Sequence, residues 1–413
     1  MLAEQKPAGL AAHAARLIDR HAGGRVLVFG SLPPEGRDLD LLVRSAEERS
    51  LAHALPAEGF VGKGRHWALF RDCSAYGIEL VPAAAWRLPQ EELEALFEEA
   101  RPIEGFESLV RPAPAHALLI LARRVAAARA GLEPKLRARL DALAAEDARV
   151  WEQAEARAEA WAGGRALARL AAAREGKRSR APRLRPSRRP KRSVIVAFSG
   201  LDGAGKSTQA SVLREALDRL GVEATVVWRP LGDNRVLELI GRPAKRILSS
   251  MRFGPLRGLA ERSARGSVMS VPGREGDGIV RSAWATFVVV LNLAAQRQAA
   301  ARHALRGRVV IYDRHVLDSA VRMRFLYGAA GRSRLQRLLL RTASPRADFA
   351  YLLEIPPETA AARKRDWTLD ELRRQADLYH EEAPLFGVRR LDGQRPREEL
   401  CALVASDVWR ALG

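Results

Sequence analysis

The stretch that most restricts what this chain can fold into is VIVAFSGLDGAGKSTQA, residues 194–210. Five mostly apolar residues lead into a glycine-rich turn, and Lys-Ser-Thr then begins a segment whose apolar residues recur on one helical face. Residues 200–207 match the pattern GxxxxGK[ST]. Glycines let main-chain N–H groups approach an anion without a clash from a Cβ atom. The pattern therefore predicts a buried strand, a phosphate-binding turn and a helix in direct succession.

Each chemical group in this turn has a part in holding phosphate. The N-terminus of the following helix presents the positive end of its dipole. We expect Lys206 to reach the β and γ phosphates of a nucleotide and the Ser207 hydroxyl to bind Mg²⁺. The candidate cofactor-binding residues are Gly200, Asp202, Gly203, Ala204, Gly205, Lys206, Ser207 and Thr208.

Strands and helices alternate along the rest of this half of the chain. A helix is predicted over Ser207–Leu220, and the apolar run Ala283–Ala295, too short to span a bilayer, is predicted to be a buried helix. The segment Gly232–Arg281 is rich in Arg, Gly and Ser and is interpreted as an insertion. The alternation predicts an α/β fold, a P-loop NTPase-type parallel sheet with helices on both faces. The predicted strands are Val194–Phe198, Val222–Trp228, Arg308–Tyr312 and Phe349–Ile355.

An acidic and a basic residue, Asp313 and Arg314, lie at the end of one of these strands. The carboxyl ends of the strands line the ligand crevice in a doubly wound sheet. Asp313 is therefore a candidate to hold the metal through water, and Arg314 is a candidate to bind a second phosphate. The alternative is that Asp313 and Arg314 only form salt bridges at the end of the strand.

These pieces together resemble the thymidylate kinase family of P-loop nucleoside monophosphate kinases. The resemblance is carried by FSGLDGAGKSTQ, YDRHVLDS, PPETAAARKRD and ELRRQADLY, and it covers most of residues 194–413. It implies transfer of the γ-phosphoryl group of ATP to a nucleoside monophosphate, with ATP and Mg²⁺ as cofactors. By the same resemblance a dimer is plausible.

The resemblance also suggests which residues neutralise the transferred phosphoryl group. Some family members place an arginine within the phosphate loop, and others place basic residues in a closing lid. The loop of this chain has no arginine, whereas Arg363, Lys364 and Arg365 lie where the lid is expected. A lid donor, with Arg363 and Arg365 as candidate catalytic residues, is the expected arrangement. The alternative is that these three basic residues lie on an ordinary exposed helix surface and take no part in catalysis.

Departures from the family pattern leave the phosphate acceptor open. Ser199 stands where the family usually has an acidic residue, and the turn after the second strand lacks the usual glutamate. Arg229 in that turn and Arg297 in a later helix are candidate ligands of the acceptor phosphate. A kinase of a non-nucleotide metabolite or sugar therefore remains an alternative.

The first half of the chain contains a second pattern, RDLDLLV, residues 37–43. Residues two apart on a strand share a face, so Asp38 and Asp40 project together, and such close carboxylates repel each other unless a cation lies between them. Glu79 on a later strand is the third candidate acid, and Gly30-Ser31 ends the preceding strand. The predicted strands are Arg25–Phe29, Leu39–Val43, Trp67–Arg71 and Ile78–Val81, with a helix over Ala46–Leu55 and helical sequence from Pro89 to about Ala173.

This arrangement resembles the polymerase-β-like nucleotidyltransferase superfamily over roughly residues 8–85. The resemblance implies a small α+β domain whose carboxylates Asp38, Asp40 and Glu79 hold two divalent ions during nucleotidyl transfer. A catalytically silent domain of this fold and a solvent-facing strand edge are the alternatives.

Length and composition determine the expected domain organisation. A chain of 413 residues is too long for one ordinary core. We expect a nucleotidyltransferase-like domain over residues 1–90, a helical extension over 91–173, a basic flexible linker over 174–192 and a kinase domain over 193–413. The linker contains ten of the Lys and Arg residues of a chain with a net charge of +20.

The basic linker also decides which macromolecular partners the charge suggests. A general arginine-rich coding bias explains the positive charge of the linker. The alternative is contact with nucleic acid or a membrane surface, and the corresponding functional class is an NTP-binding, nucleic-acid-associated protein.

The N-terminus has no signal-peptide pattern, and the two cysteines, Cys73 and Cys401, are far apart. We therefore expect a cytoplasmic protein without a membrane span that acts on a small-molecule phosphate acceptor.

Overall fold

The computed structural model describes residues 5–127, 134–174, 193–228, 278–304, 309–328 and 334–412. The chain divides into two compact units, Met1–Ser187 and Arg188–Leu412, each with its own sheet. The expected linker beyond Arg174, most of the expected insertion Gly232–Arg281, and Arg229 lie outside the described residues.

The described part of the first unit forms a seven-stranded mixed sheet with the strand order β3-β4-β5-β2-β1-β7-β6. Its central strands β5 and β2 are parallel, whereas β2 and β1 are antiparallel. The strands are β1 (Val26–Val28), β2 (Asp38–Val43), β3 (Val61–Lys63), β4 (His66–Arg71), β5 (Ser74–Pro82), β6 (Arg101–Pro102) and β7 (Leu109–Arg111).

Helices cover both faces of this sheet. Leu39, Leu41 and Val43 of β2 share a core with α1 and α2, whereas Leu42 packs in a second core with α3 to α7. Asp38 and Asp40 are in phase with Leu42, so they face the side of the later helices. The helices are α1 (Gln5–His21), α2 (Ser45–Ala57), α3 (Gln90–Glu98), α4 (Pro114–Ala127), α5 (Pro134–Glu146), α6 (Val150–Arg157) and α7 (Gly164–Arg174).

The prediction that residues 89–173 are helical throughout is wrong in one respect. Strands β6 and β7 lie within that span, and β7 pairs in parallel with β1, with Val26 opposite Leu109. A strand of three residues is too short to show the alternation that identifies a half-buried strand. The first sheet therefore extends beyond residue 90.

The second unit confirms the predicted parallel sheet flanked by helices. Its described residues form five strands in the order β12-β11-β8-β10-β9, and every pairing is parallel. The strands are β8 (Ile195–Gly200), β9 (Ala224–Trp228), β10 (Val309–Asp313), β11 (Phe349–Glu354) and β12 (Arg389–Asp392). The helices are α8 (Lys206–Arg219), α9 (Gly278–Ala304), α10 (Val316–Tyr327), α11 (Arg334–Ala343), α12 (Pro357–Arg363), α13 (Leu369–Phe386) and α14 (Arg397–Ala411).

The predicted buried helix over residues 283–295 lies within α9, and its Val288, Val289 and Leu293 are buried against α10 and α11. Among the described ranges, no helix combines the length and the apolar character that crossing a bilayer requires.

Candidate functional site

The glycine-rich turn connects the end of β8 at Gly200 to the start of α8 at Lys206. Gly205, directly before the helix, has a φ of +91°, and Gly203 has a φ of +92°. A Cβ atom on Gly203 would also lie 2.9 Å from the carbonyl oxygen of Ala360. Both positions therefore need glycine, because other residues rarely adopt a positive φ and because Gly203 has no room for a side chain.

Lys206 lies inside this loop and is only 4% exposed. Its Nζ donates hydrogen bonds of 2.7 Å to the carbonyl oxygens of Gly200 and Leu201. Burial, together with the positive charge of Arg314, lowers the pKa of Lys206 to about 8. The loop thus holds an ammonium group at its centre. Within the described residues, the two carbonyl oxygens and nearby carboxylates compensate its charge.

Ser207 and Asp313 meet at the first turn of α8. The Ser207 Oγ donates a 2.5 Å hydrogen bond to Asp313 Oδ2. The other carboxylate oxygen, Asp313 Oδ1, is buried and has no hydrogen-bond partner within the described residues. A buried, unpaired carboxylate oxygen is costly unless a cation or water satisfies it. Because Mg²⁺ prefers oxygen ligands and commonly uses one or two protein groups plus phosphate oxygens, these two residues fit it.

Arg314 follows in a conformation that is unusual for a residue with a side chain, with a φ of +80°. Its guanidinium pairs with the carboxylate of Asp202 in the loop. Burial alone would raise the pKa of Asp202, but the positive charges of Arg314 and Lys206 outweigh it and lower the pKa to about 2. Backbone strain of this kind is concentrated at functional sites, where the surrounding structure maintains it.

One of the three basic residues expected in a lid contacts the loop. Arg363, at the end of α12, donates from Nη1 to the carbonyl oxygen of Gly203 at 3.3 Å. Lys364 pairs with Asp366 at 2.9 Å, and Arg365 is exposed. Trp367 donates from Nε1 to Asp202 Oδ2 at 3.0 Å.

Sequence reasoning missed two residues that support the loop. Asp318 Oδ1 accepts from the main-chain N–H of Gly200 at 3.3 Å and from the Tyr379 hydroxyl at 2.7 Å. The Tyr379 hydroxyl also lies 2.9 Å from the carbonyl oxygen of Gly200. Both residues lie in stretches that carry the family resemblance, Asp318 in YDRHVLDS and Tyr379 in ELRRQADLY, and these stretches were the usable signal.

Among the remaining candidates of this half, Arg297 is not brought to the loop. Arg297 lies exposed on α9, and within the described residues no hydrogen bond or ion pair joins it to the loop. Thr208 is exposed in the first turn of α8, while Ala204 is buried within the loop.

The three acids of the first half lie on one face of the first sheet. Asp40 on β2 is paired in register with Glu79 on β5, and Asp38 with Gly77. A Cβ atom on Gly30 would lie 2.5 Å from Asp40 Oδ2, so the turn after β1 approaches this carboxylate closely. Burial, and then the negative charges of Asp38 and Glu79, raise the pKa of Asp40 to about 6.

These acids line a cavity of about 540 Å³. The lining also contains basic and aromatic side chains: Arg123 and Arg124 on α4, Arg139 on α5, and Trp86. Arg139 donates to the carbonyl oxygens of Gly30 at 3.0 Å and Phe29 at 3.1 Å. Sequence reasoning missed these arginines because the helical segment that carries them offers no motif.

The structure does not gather the three acids into a metal cluster. Glu79 Oε1 lies 2.8 Å from Arg65 Nε and 4.0 Å from His66 Nε2. Over the described ranges, no group of three or more His, Cys, Asp or Glu side chains is arranged to hold a metal ion. The expected ligands Asp38, Asp40 and Glu79 therefore share a face of the sheet and a cavity, but Glu79 forms an ion pair with Arg65.

Comparison with known proteins concerns about half of the chain. No family model matches it. The thymidylate kinase of Symbiobacterium thermophilum is 28% identical over 198 residues, which are 46% of this chain and 75% of that protein. The thymidylate kinase of Desulforudis audaxviator is 30% identical over 187 residues, 44% of this chain and 70% of that protein.

Among solved structures, a deoxyadenosine kinase from M. mycoides, with the products dCMP and a flexible dCDP bound, matches with a TM-score of 0.32 and 15% identity. That match covers 52% of this chain and 98% of that chain. From the sequence identity to the Desulforudis audaxviator protein, and from the share of it that is covered, this chain belongs to the thymidylate kinase family.

Proposed function

We propose that the second unit is a nucleotide kinase that transfers the γ-phosphoryl group of ATP to a nucleoside monophosphate. The observation that carries this proposal is the pairing of Ser207 with Asp313 beside a loop built around Lys206. The thymidylate kinases to which the chain is similar support the same reaction class.

Positioning and charge neutralisation account for the chemistry, without a covalent intermediate on the protein. The main-chain N–H groups of the loop and Lys206 hold the β and γ phosphates, and Ser207 and Asp313 hold Mg²⁺. When bound, Mg²⁺ supplies positive charge to the phosphate oxygens. Arg314 exchanges its Asp202 partner for a phosphate group, and Arg363 stabilises the charge of the transferred group from the lid.

The acceptor is proposed to be a nucleoside monophosphate, with thymidylate as the first compound to test. Ser199 in place of the family's acidic residue favours a test of further acceptors, including sugars and other small metabolites. Arg297 would bind the acceptor phosphate only if α9 moved it nearer to the phosphate loop. Arg229 lies outside the described residues.

The decisive experiment measures ADP release from ATP and Mg²⁺ with a panel of nucleoside monophosphates and phosphorylated sugars. We expect turnover with at least one nucleotide and a loss of about 10³-fold or more in Lys206→Ala, because the loop loses its central positive charge. Arg410→Ala removes a positive charge on the exposed side of α14 and serves as the control. Retained turnover in Lys206→Ala, or turnover with sugars alone, would contradict the proposal.

For the first unit, we propose nucleotidyl transfer at the cavity lined by Asp38 and Asp40. The position of Asp38, Asp40 and Glu79 in one cavity supports this, because closely spaced carboxylates favour a bound divalent cation. Burial, and then the negative charges of Asp38 and Glu79, raise the pKa of Asp40. Asp38 and Asp40 would hold the metal, joined by Glu79 once it leaves Arg65, and Arg124 and Arg139 would bind phosphate groups. The metal would activate the acceptor hydroxyl.

Pyrophosphate release from nucleoside triphosphates with Mg²⁺ or Mn²⁺ tests this second proposal. The double variant Asp38→Asn/Asp40→Asn should abolish the release, whereas Asp72→Asn, an exposed change in the same unit, should not. Release that survives the double variant would show that these carboxylates are not the metal ligands.

A further inference from the structure

Arg322 on α10 shares a helix face with two residues that lie against the phosphate loop and the lid segment. It follows Asp318 by four positions and precedes Phe325 by three, and residues at this spacing are neighbours on a helix surface. Asp318 accepts from a main-chain N–H of the loop at 3.3 Å. Phe325 packs edge to face on Trp367, with ring centroids 5.5 Å apart, and Trp367 donates to Asp202 of the loop. Arg322 therefore lies between two residues that face the site.

The side chain of Arg322 is half-buried, yet in the described part of the chain it forms no hydrogen bond or ion pair. Its Nε is buried. Burial, and then the positive charge of Arg314, lower the pKa of Arg322. A partly buried guanidinium without a partner is costly unless an anion or water meets its charge.

The two carboxylates whose charge acts on Arg322 already have other donors. They are Asp202 and Asp318. Asp202 pairs with Arg314. Asp318 accepts from the Tyr379 hydroxyl at 2.7 Å through Oδ1 and from a main-chain N–H at 3.0 Å through Oδ2. Two neighbouring guanidiniums thus share carboxylates that are already bonded, which favours a further anion beside them.

We propose that Arg322 binds the phosphate group of the acceptor, beside Arg314. The inference rests on the kinase function proposed above and adds a residue that selects a phosphorylated acceptor. The loop amides, Lys206 and Mg²⁺ are assigned to the phosphates of ATP, whereas Arg322 lies on α10, outside the loop, and meets the second anion of the reaction. A guanidinium fits a phosphate through two parallel hydrogen bonds. Acceptors without a phosphate, such as nucleosides and free sugars, leave it unpaired and are disfavoured.

Arg322→Gln in the full chain tests this with the nucleoside monophosphates of the panel above. For those turned over, the KM for the acceptor should rise at least ~10-fold and the KM for ATP should stay within about twofold, because the acceptor alone loses a charge-assisted contact. Arg322→Lys keeps the charge without the paired N–H groups and should give an intermediate KM. Arg395→Gln removes an exposed arginine and is the matched control. An unchanged KM for the acceptor, or a rise in the KM for ATP alone, would overturn the proposal.

Isothermal titration calorimetry separates this inference from the kinase function itself. Each nucleoside monophosphate of the panel and its unphosphorylated nucleoside are titrated into the unmodified chain and into Arg322→Gln. We expect the monophosphate to bind the variant at least ~10-fold more weakly and the nucleoside to bind both chains alike. Weakened binding in a chain that releases no ADP would support the inference while contradicting the kinase function. Equal binding of the monophosphate to both chains, an equal loss for the nucleoside, or no binding of any monophosphate would overturn the inference.

Discussion

Asp313 and Asp40 are carboxylates whose surroundings both favour a cation, for different reasons. Asp313 has one oxygen bonded to Ser207 and a second that is buried without a partner in the described structure. Asp40 lies close to two other carboxylates, and this crowding adds to its burial. In the first case a bound cation would supply a missing partner, and in the second it would relieve repulsion.

Asp313→Asn should raise the Mg²⁺ concentration needed for half-maximal ADP release by at least ~10-fold, because an amide is a poorer ligand for a hard cation than a carboxylate. The measurement is the rate of ADP release against Mg²⁺ at saturating ATP. Asp218→Asn, an exposed change on α8, is the matched control. An unchanged Mg²⁺ dependence in Asp313→Asn would remove this residue from the metal site.

Asp40→Asn should stabilise the first unit at neutral pH in the absence of divalent metal. Folding raises the pKa of Asp40 from 3.8 to about 6, so the folded state binds this proton more tightly and loses stability as pH rises through that range. We expect a gain of about 1–3 kcal/mol at pH 7 that shrinks towards pH 4.

Calorimetry of the full chain in EDTA measures this effect as a shift of the first unit's unfolding transition. Asp72→Asn, an exposed substitution in the same unit, should shift the transition little at either pH. A gain in Asp40→Asn that is equal at pH 4 and pH 7 would contradict the electrostatic explanation.

The segment between α12 and α13 contacts the phosphate loop through the residues at its two ends. Arg363 at the end of α12 reaches Gly203, and Trp367 before α13 reaches Asp202. Thr368 and Glu371 form a capping box at the start of α13, which defines where the segment ends. Both ends of the segment are therefore anchored to the loop or to a helix.

Arg363→Ala should lower kcat by about 10²-fold while leaving the KM for ATP nearly unchanged, because its charge acts on the group in transfer. Arg373→Ala removes an exposed arginine of α13 that pairs with Glu358 and is the matched control. Steady-state rates over a range of ATP concentrations separate the two constants. A raised KM with an unchanged kcat would make Arg363 a ground-state ligand only.

The described residues of the molecule form two sheets with separate cores, and each unit carries one of the two proposed catalytic sites. Asp38 and Asp40 belong to the first sheet, and the phosphate loop follows the first strand of the second sheet. Nothing in the chemistry of either site requires a residue of the other. The two proposed activities are therefore expected to be separable.

Reciprocal variants test this separation in the full chain. Asp38→Asn/Asp40→Asn should leave ADP release within about twofold of the unmodified chain. Lys206→Ala should leave pyrophosphate release equally unaffected, since the effects of substitutions that share no partners add. Assays of both products on both variants give the answer. Loss of both activities in either variant would indicate that one site depends on the other.

The sequence by itself determined the local parts of both sites. The spacing of glycines and Lys-Ser between an apolar strand and an amphipathic helix predicted the loop that joins β8 to α8. The alternation in RDLDLLV predicted that Asp38 and Asp40 share a face. These features arise within a few residues, where strand and helix periodicity decide the outcome.

The tertiary structure alone decided which distant groups support those parts. Tyr379 reaches Gly200, Arg139 reaches Gly30, and β7 completes the first sheet, each across more than 80 residues of chain. The Asp313 oxygen that has no hydrogen-bond partner among the described residues likewise follows from what surrounds it. Such contacts depend on how strands and helices pack, and no local pattern in the chain encodes the partner, because burial and hydrogen bonding are properties of the assembled fold.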